Sequence, residues 1–495
     1  METTTPTQHE RNKSAKNRRF VTLFASVPVI AAILAVQSCG GIGGPTTNNG
    51  GQGSVTAQFL ALLSNEQRTA SYIGAGACSD AACHGSDPGS HFSDWQLTAH
   101  FENNVSCEGC HGPGSVHRDN PTTDNILTFP KSVNPVVCGQ CHGPIYDQYK
   151  FSQHDKLIVS PVERAITSPE SYGRTSRCIA CHGGLFRTLT YDGELDIATM
   201  PAEDIQSIAQ DIINFVPHTA NCVTCHDPHK QTGNLTDEAK EVQLRHSTFS
   251  LDTTSVGPGT LPQSFQTIDH ICAQCHNGRG ADPSDAALTS GTARPNMHDS
   301  NQYNMLLGFA GVEGSGPVIS NTAHANVPGQ CSHCHMPDSR HTFTVSFNAC
   351  VPCHTEVDAA NRVTSIKTEI LNGLYALRVR MSDWAIAAYP GQLGNEIFWE
   401  YTSTITAEGY TPPAQAGVPI EIKRARHNYY FIVRSGDFGV HNGAYAKHLL
   451  TVANENLDDL SVPAAPKSPL SLAQKTRIIK ADKARAARAD SEDDH

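Results

Sequence analysis

The stretch Cys78-Ser-Asp-Ala-Ala-Cys83-His84, followed by Cys107-Glu-Gly-Cys110-His111-Gly-Pro-Gly-Ser-Val-His117, decides how the chain is read. Two cysteines closed by an adjacent histidine form the attachment pattern of a c-type haem. The thiols add across the two porphyrin vinyl groups, and the neighbouring imidazole becomes the proximal ligand of the iron. The second form of the pattern recurs at Cys138/Cys141–His142, Cys178/Cys181–His182, Cys222/Cys225–His226, Cys272/Cys275–His276, Cys331/Cys334–His335 and Cys350/Cys353–His354. Eight motifs predict eight covalent haems. Only the first has four residues between its cysteines; the others have two.

Structural zinc is the competing use of paired Cys with His. Zinc does not require a histidine directly after the second cysteine, and here one follows in every motif. Of 17 cysteines, the motifs take all but Cys39, so none remains for a structural disulfide. Composition agrees with a haem-filled interior. Hydrophobic residues are 38%, Gly is 39 and Pro 29, which argues against long elements around an ordinary aliphatic core. The expected fold class is therefore a multihaem cytochrome c: mostly α and irregular coil, little β, a core of stacked haems, and a C-terminal helical hairpin.

The N-terminus reads as an address. Arg11, Lys13, Lys16, Arg18 and Arg19 precede an apolar run from Phe20 to Val36, the layout of an export signal. Leu34-Ala-Val-Gln-Ser-Cys39-Gly40 resembles a bacterial lipoprotein cleavage box, which makes Cys39 the expected lipidation site. The Gly-rich segment after it suits a flexible tether. Without residues 1–38 the formal charge moves from −12 to about −15, a field that disfavours nucleic acid and favours basic partner surfaces. The expected organisation is a signal peptide (1–38), a tether (39–71), a first haem module (72–165) and a second (166–355). A helical region (356–460) and a disordered tail (461–495) follow.

A haem iron has two axial positions, and each motif fills one. Outside the motifs the chain holds seventeen further histidines, fifteen without His9 and His495, so every second position has a candidate. The segments Trp95-Gln-Leu-Thr-Ala-His100 and Cys110-His-Gly-Pro-Gly-Ser-Val-His117 resemble the tetrahaem cytochrome and hydroxylamine-oxidoreductase superfamily. That resemblance implies distal ligation by His100 and His117, and by His154 in the parallel segment Tyr149-Lys-Phe-Ser-Gln-His154. In Cys225-His-Asp-Pro-His229 the proline turn directs His229 toward a neighbouring haem. From Cys275 to Phe343 the text is similar to surface multihaem cytochromes of metal-respiring bacteria, which implies His298, His324 and His341. His218 and His441 complete the candidates, with His91, His246, His270, His333, His427 and His448 in reserve.

Past the last motif, Val363, Ile366, Ile370, Leu374 and Leu377 recur every three or four residues and predict a helix over 356–388, stopped by Pro390-Gly391. Helical stretches around 422–433 and 445–456 flank Ser435-Gly-Asp-Phe-Gly-Val-His441. This ending resembles the C-terminal hairpin of the pentahaem nitrite reductases, in which a turn presents an imidazole to a haem. Those enzymes hold their active haem by a motif ending in Lys, and no motif here does.

The expected function is electron carriage at the bacterial cell envelope in anaerobic or extracellular respiration. The expected partners are other cytochromes, a quinol-oxidising complex or an outer-membrane porin–cytochrome assembly, with membrane attachment through the N-terminal lipid. Self-association is compatible with this reading. The alternative is an octahaem oxidoreductase acting on a small nitrogen or sulfur compound, such as nitrite or hydroxylamine, at one open-site haem.

Overall fold

The structure is a computed structural model that describes residues 54–80, 82–85, 89–156, 181–190, 200–253, 269–278, 282–290, 298–317, 319–320, 322–351, 353–401 and 412–492. The export signal, Cys39, most of the tether and Cys178 lie outside them. Among the described residues, regular structure is helical, and extended pairing is confined to two isolated bridges, His226 with Leu244 and Leu235 with Glu241.

The two halves of the chain are built differently. Before residue 355, helices are short and apolar burial is divided among small groups. Phe59, Leu63, Leu127, Val136, Val137, Tyr146 and Tyr149 form one. Leu185, Phe186, Val216 and Val223 form another with α1 (Ala202–Phe215). Helix α1 buries Ile205, Ala209 and Ile212, a three- and four-residue spacing that puts them on one face. Acidic Glu203 and Asp204 complement its N-terminal dipole.

After residue 355 a conventional core appears. Helix α2 (Glu356–Ala388) starts where the Thr355 side chain accepts from the Asp358 amide and ends just before Pro390. Helices α3 (Ile420–Ser435) and α4 (Gly443–Asp459) pack together and against α2, burying Ile370, Leu374, Leu377, Tyr429, Phe431, Tyr445 and Leu449. Trp399, fully buried, contacts the rings of Tyr429 and Tyr430. Arg426 and Glu400 form a buried ion pair at 3.1 Å, with the Tyr430 hydroxyl donating to the same carboxylate.

The tail differs from its sequence reading. Leu472–Glu492 form α5, which lies on α2 and α3 and buries Ile479, Asp482 and Ala486. Asp482 accepts from the Tyr429 hydroxyl at 2.8 Å and from Arg378 at 2.7 Å, with Arg485 on its other oxygen. A charged residue in an Ala-rich helix reads as solvated, but here it is neutralised by partners about a hundred residues earlier, at separations of 104 and 53.

Candidate haem-attachment sites

Each two-residue motif is one turn of helix. The amide of the motif histidine donates to the carbonyl of the first cysteine at His142 (2.9 Å), His226 (2.9 Å), His276 (3.0 Å) and His354 (2.8 Å). Residues i, i+3 and i+4 of a helical turn share a face, so both sulfurs and the imidazole point the same way. The first motif accommodates its two extra residues differently. Asp80 closes a turn by accepting from the Cys83 amide at 2.8 Å, while its carboxylate accepts from the Ala82 amide at 2.8 Å. Fourteen described cysteines carry free thiols. Cys141 is disulfide-bonded, the form a thiol takes beside another when neither has added to a vinyl group.

Every motif histidine faces a second histidine from another part of the chain. His84 stands opposite His117, with ring centroids 6.3 Å apart, and His111 opposite His229 at 6.0 Å. His142 faces His100 at 6.3 Å, His182 faces His298 at 6.3 Å, and His226 faces His341 at 6.3 Å. His276 faces His154 at 6.2 Å, His335 faces His441 at 6.2 Å, and His354 faces His324 at 6.5 Å. None of the eight facing imidazoles comes from the residues directly following the motif it faces. His117, for example, follows the second motif and faces the first.

Nδ1 is engaged on many of these rings. Backbone carbonyls accept from His111 (Leu127, 2.7 Å), His226 (Val242, 2.7 Å), His335 (Phe343, 3.2 Å), His117 (Thr122, 3.0 Å), His298 (Asp299, 2.7 Å) and His341 (Ser339, 2.8 Å). The Gln302 side-chain oxygen lies 3.3 Å from Nδ1 of His276, and the Asp358 carboxylate 3.2 Å from that of His354. A carbonyl can only accept, so Nδ1 carries the proton and Nε2 keeps its lone pair. Burial, with His276 close by, lowers the pKa of His154 to about 4; burial, with His111 and His91 close by, does the same for His229. Burial also lowers His100, His111, His226, His276 and His341, so these rings stay neutral, the form in which imidazole binds metal.

Local sequence explains how the facing rings are held. In the parallel segments before His100 and His154, an aromatic anchor (Trp95, Tyr149) is buried, and so is a hydroxyl residue (Thr98, Ser152). The residue between them is an uncovered apolar side chain, Leu97 at 65% exposure and Phe151 at 81%. His441 sits on the turn between α3 and α4. Gly436 ends α3 in the left-handed region at φ 72°, and the Asn442 side chain caps α4 by accepting from the Tyr445 amide at 3.0 Å. Asp437 accepts from the His441 amide at 2.8 Å and lies 2.9 Å from its Nδ1. Burial opposes protonation of His441, yet Asp437 raises its pKa overall.

His218 is placed elsewhere. It stacks edge-on to Tyr149 and lies 3.2 Å from Asp155, rather than across from a motif histidine. Among the reserve, His270, His333, His427 and His448 hydrogen-bond backbone groups.

No protein-family model matches the chain, and no curated protein sequence matches it. Solved structures with a related fold include an undecahaem cytochrome from the S-layer of Carboxydothermus ferrireducens, at 19% identity and a TM-score of 0.43, covering 73% of this chain and 51% of that one. A second is the outer cell wall cytochrome OcwA, at 18% identity and a TM-score of 0.45, covering 72% of this chain and 70% of that one. The chain thus spans about half the length of the first of these.

Proposed function

We propose that the chain is an octahaem c-type cytochrome that carries electrons between redox partners at the cell envelope. The observation that carries this reading is the pairing of all eight motif histidines with a second imidazole. Two imidazoles bonded to one metal, with metal–nitrogen bonds of about 2 Å, have ring centroids about 6 Å apart. The eight separations, between 6.0 and 6.5 Å, match that requirement.

Each motif would hold its haem by two thioethers and a proximal imidazole. The distal ligands would be His117, His229, His100, His298, His341, His154, His441 and His324, in the order of the proximal residues named above for motifs one, two, three, four, five, six, seven and eight. His218 is left outside this set. Haem bound this way supplies reversible one-electron chemistry and, with both axial positions filled, offers no site for substrate. The protein's part is to orient Nε2 through the Nδ1 hydrogen bonds, to keep the rings neutral, and to cover the apolar faces that Leu97 and Phe151 leave open.

The setting rests on the N-terminal sequence: export followed by lipid attachment at Cys39, with the tether placing the folded part at the outer membrane or cell surface. Among the described residues no helix is long and apolar enough to cross a membrane. Partners would be other redox proteins, approaching the exposed motifs. Intact mass of the holoprotein tests the attachment reading, including Cys141, because a sulfur in a thioether cannot be in a disulfide. Eight haems are expected, and six or fewer would overturn the proposal. Low-temperature EPR of the oxidised protein tests the ligation. Low-spin ferric signals alone are expected; a high-spin signal of one haem equivalent would favour the oxidoreductase acting on nitrite or hydroxylamine.

A further inference from the structure

The motifs follow one another along the chain as one to eight, but their sulfurs meet in a different order. The thiols of Cys78 and Cys107 hydrogen-bond, joining sites one and two, and the Glu108 carboxylate inside the second motif accepts from the Ile73 and Gly74 amides ahead of the first. Cys110 lies within electrostatic range of Cys138, joining sites two and three. Site three then meets site five, not four. Cys138 hydrogen-bonds Cys222, the Tyr149 hydroxyl donates to the Ala220 carbonyl at 2.8 Å, and the Asn221 side chain donates to the Val133 carbonyl at 3.0 Å.

Three sites converge on the sixth motif. Cys225 of site five lies within range of both Cys272 and Cys275. Cys272 hydrogen-bonds Cys331 of site seven, and both sulfurs lie within 4.8 Å of a nitrogen of His270. Cys275 hydrogen-bonds Cys181 of site four. The link to site four has independent support: Cys181 Sγ lies 3.7 Å from the Gln274 carbonyl, Arg187 hydrogen-bonds the Gln274 side chain, and His298, after motif six, faces His182 of motif four. Beyond site seven, Cys334 lies within range of Cys350, and the His333 ring hydrogen-bonds the Ala349 carbonyl at 3.0 Å. Burial follows the same plan. Ala273 and Gln274, between the cysteines of motif six, are buried, as is His270 before them, whereas Cys83, His84 and Cys353 at the first and eighth sites are exposed.

We propose that the sixth motif is a three-way junction: the attachment sites connect in the order one, two, three, five, six, seven, eight, and site four joins at six. The inference rests on the octahaem reading above. Its physical basis is that each thioether sulfur is one carbon from the porphyrin edge, so sulfurs of two motifs in contact bring two such edges together. Electron exchange falls off steeply with edge separation, and the contacts therefore define which sites communicate. The arrangement gives partners a lateral approach through site four besides the exposed sites one and eight.

Iron-edge anomalous diffraction from crystals of the holoprotein tests this, each iron being assigned to its motif by continuous density through the thioethers. The irons of sites four, five and seven should be the three nearest to that of site six, and the iron of site three should be nearer to that of site five than to that of site four. Eight irons in any other order overturn the junction and leave the octahaem reading standing. Fewer than eight irons at the motifs overturn both.

Discussion

His154 and His218 both belong to the pool of spare imidazoles, but their surroundings separate them. His154 faces His276 and is held neutral by burial, whereas His218 has Asp155 at 3.2 Å and the edge of Tyr149. His154→Ala should therefore convert about one haem equivalent of eight to a high-spin ferric signal in EPR, while His218→Ala leaves the spectrum low-spin throughout. A high-spin signal in the second variant alone would reverse the assignment. Asp437 offers a subtler test, because a carboxylate beside an axial imidazole raises the ligand's basicity and favours the ferric state. Asp437→Asn should move one of the eight midpoint potentials upward in a spectroelectrochemical titration, on the order of tens of millivolts, leaving the others in place. The motif cysteines and proximal histidines could be named from sequence because their chemistry is written in five consecutive residues. Which imidazole stands opposite each could not, because contacts such as His335 with His441 depend on how distant segments pack.

At the level of elements, α2 was legible to its ends because its apolar stripe, its acidic first turn and the proline after it all point the same way. Helix α5 was not. It buries only Ile479, Asp482 and Ala486, too narrow and too polar a face to register as amphipathic. Its attachment depends on Asp482, whose removal leaves Arg378 without its carboxylate and the Tyr429 hydroxyl without its acceptor. Asp482→Ala should lower stability by about 3 kcal/mol in chemical denaturation, and Lys480→Ala, on the exposed face, by less than about 0.5 kcal/mol. Equal, small effects would mean that α5 does not hold to the bundle. The α3–α4 turn is similarly specified. Gly439 has φ 85°, and a Cβ there would stand 3.0 Å from Ile370 and 3.1 Å from Ala446. Gly439→Ala should cost about 1–3 kcal/mol and, by displacing the turn that carries His441, should bring up a high-spin signal from the seventh site.

The whole molecule joins two kinds of stability. From Glu356 onward, a single apolar cluster spans α2 to α5 and includes Trp399, Tyr429, Tyr430, Phe431 and Tyr445, all with less than 2% exposure. Before it, the buried groups are small and separate, and side chains such as Leu97 and Phe151 stand uncovered beside the histidine pairs. Small isolated clusters bury too little apolar surface to offset the conformational entropy of ordering so many turns. The N-terminal part should thus depend on covalent haem for its fold, while the helical part depends on its own side chains. Hydrogen exchange on the full chain, produced once with haem and once in a host compartment that attaches none, separates these contributions. In the haem-free chain, slow-exchanging amides should be confined to α2–α5, and those of residues 107–156 and 222–278 should exchange within the dead time. In the holoprotein the motif turns should join the protected set, their amides bonding to the first-cysteine carbonyls as at His142 and His276. Protection of the motif turns without haem would show that the scaffold is preformed, and the stabilising role assigned to haem would then have to be given up.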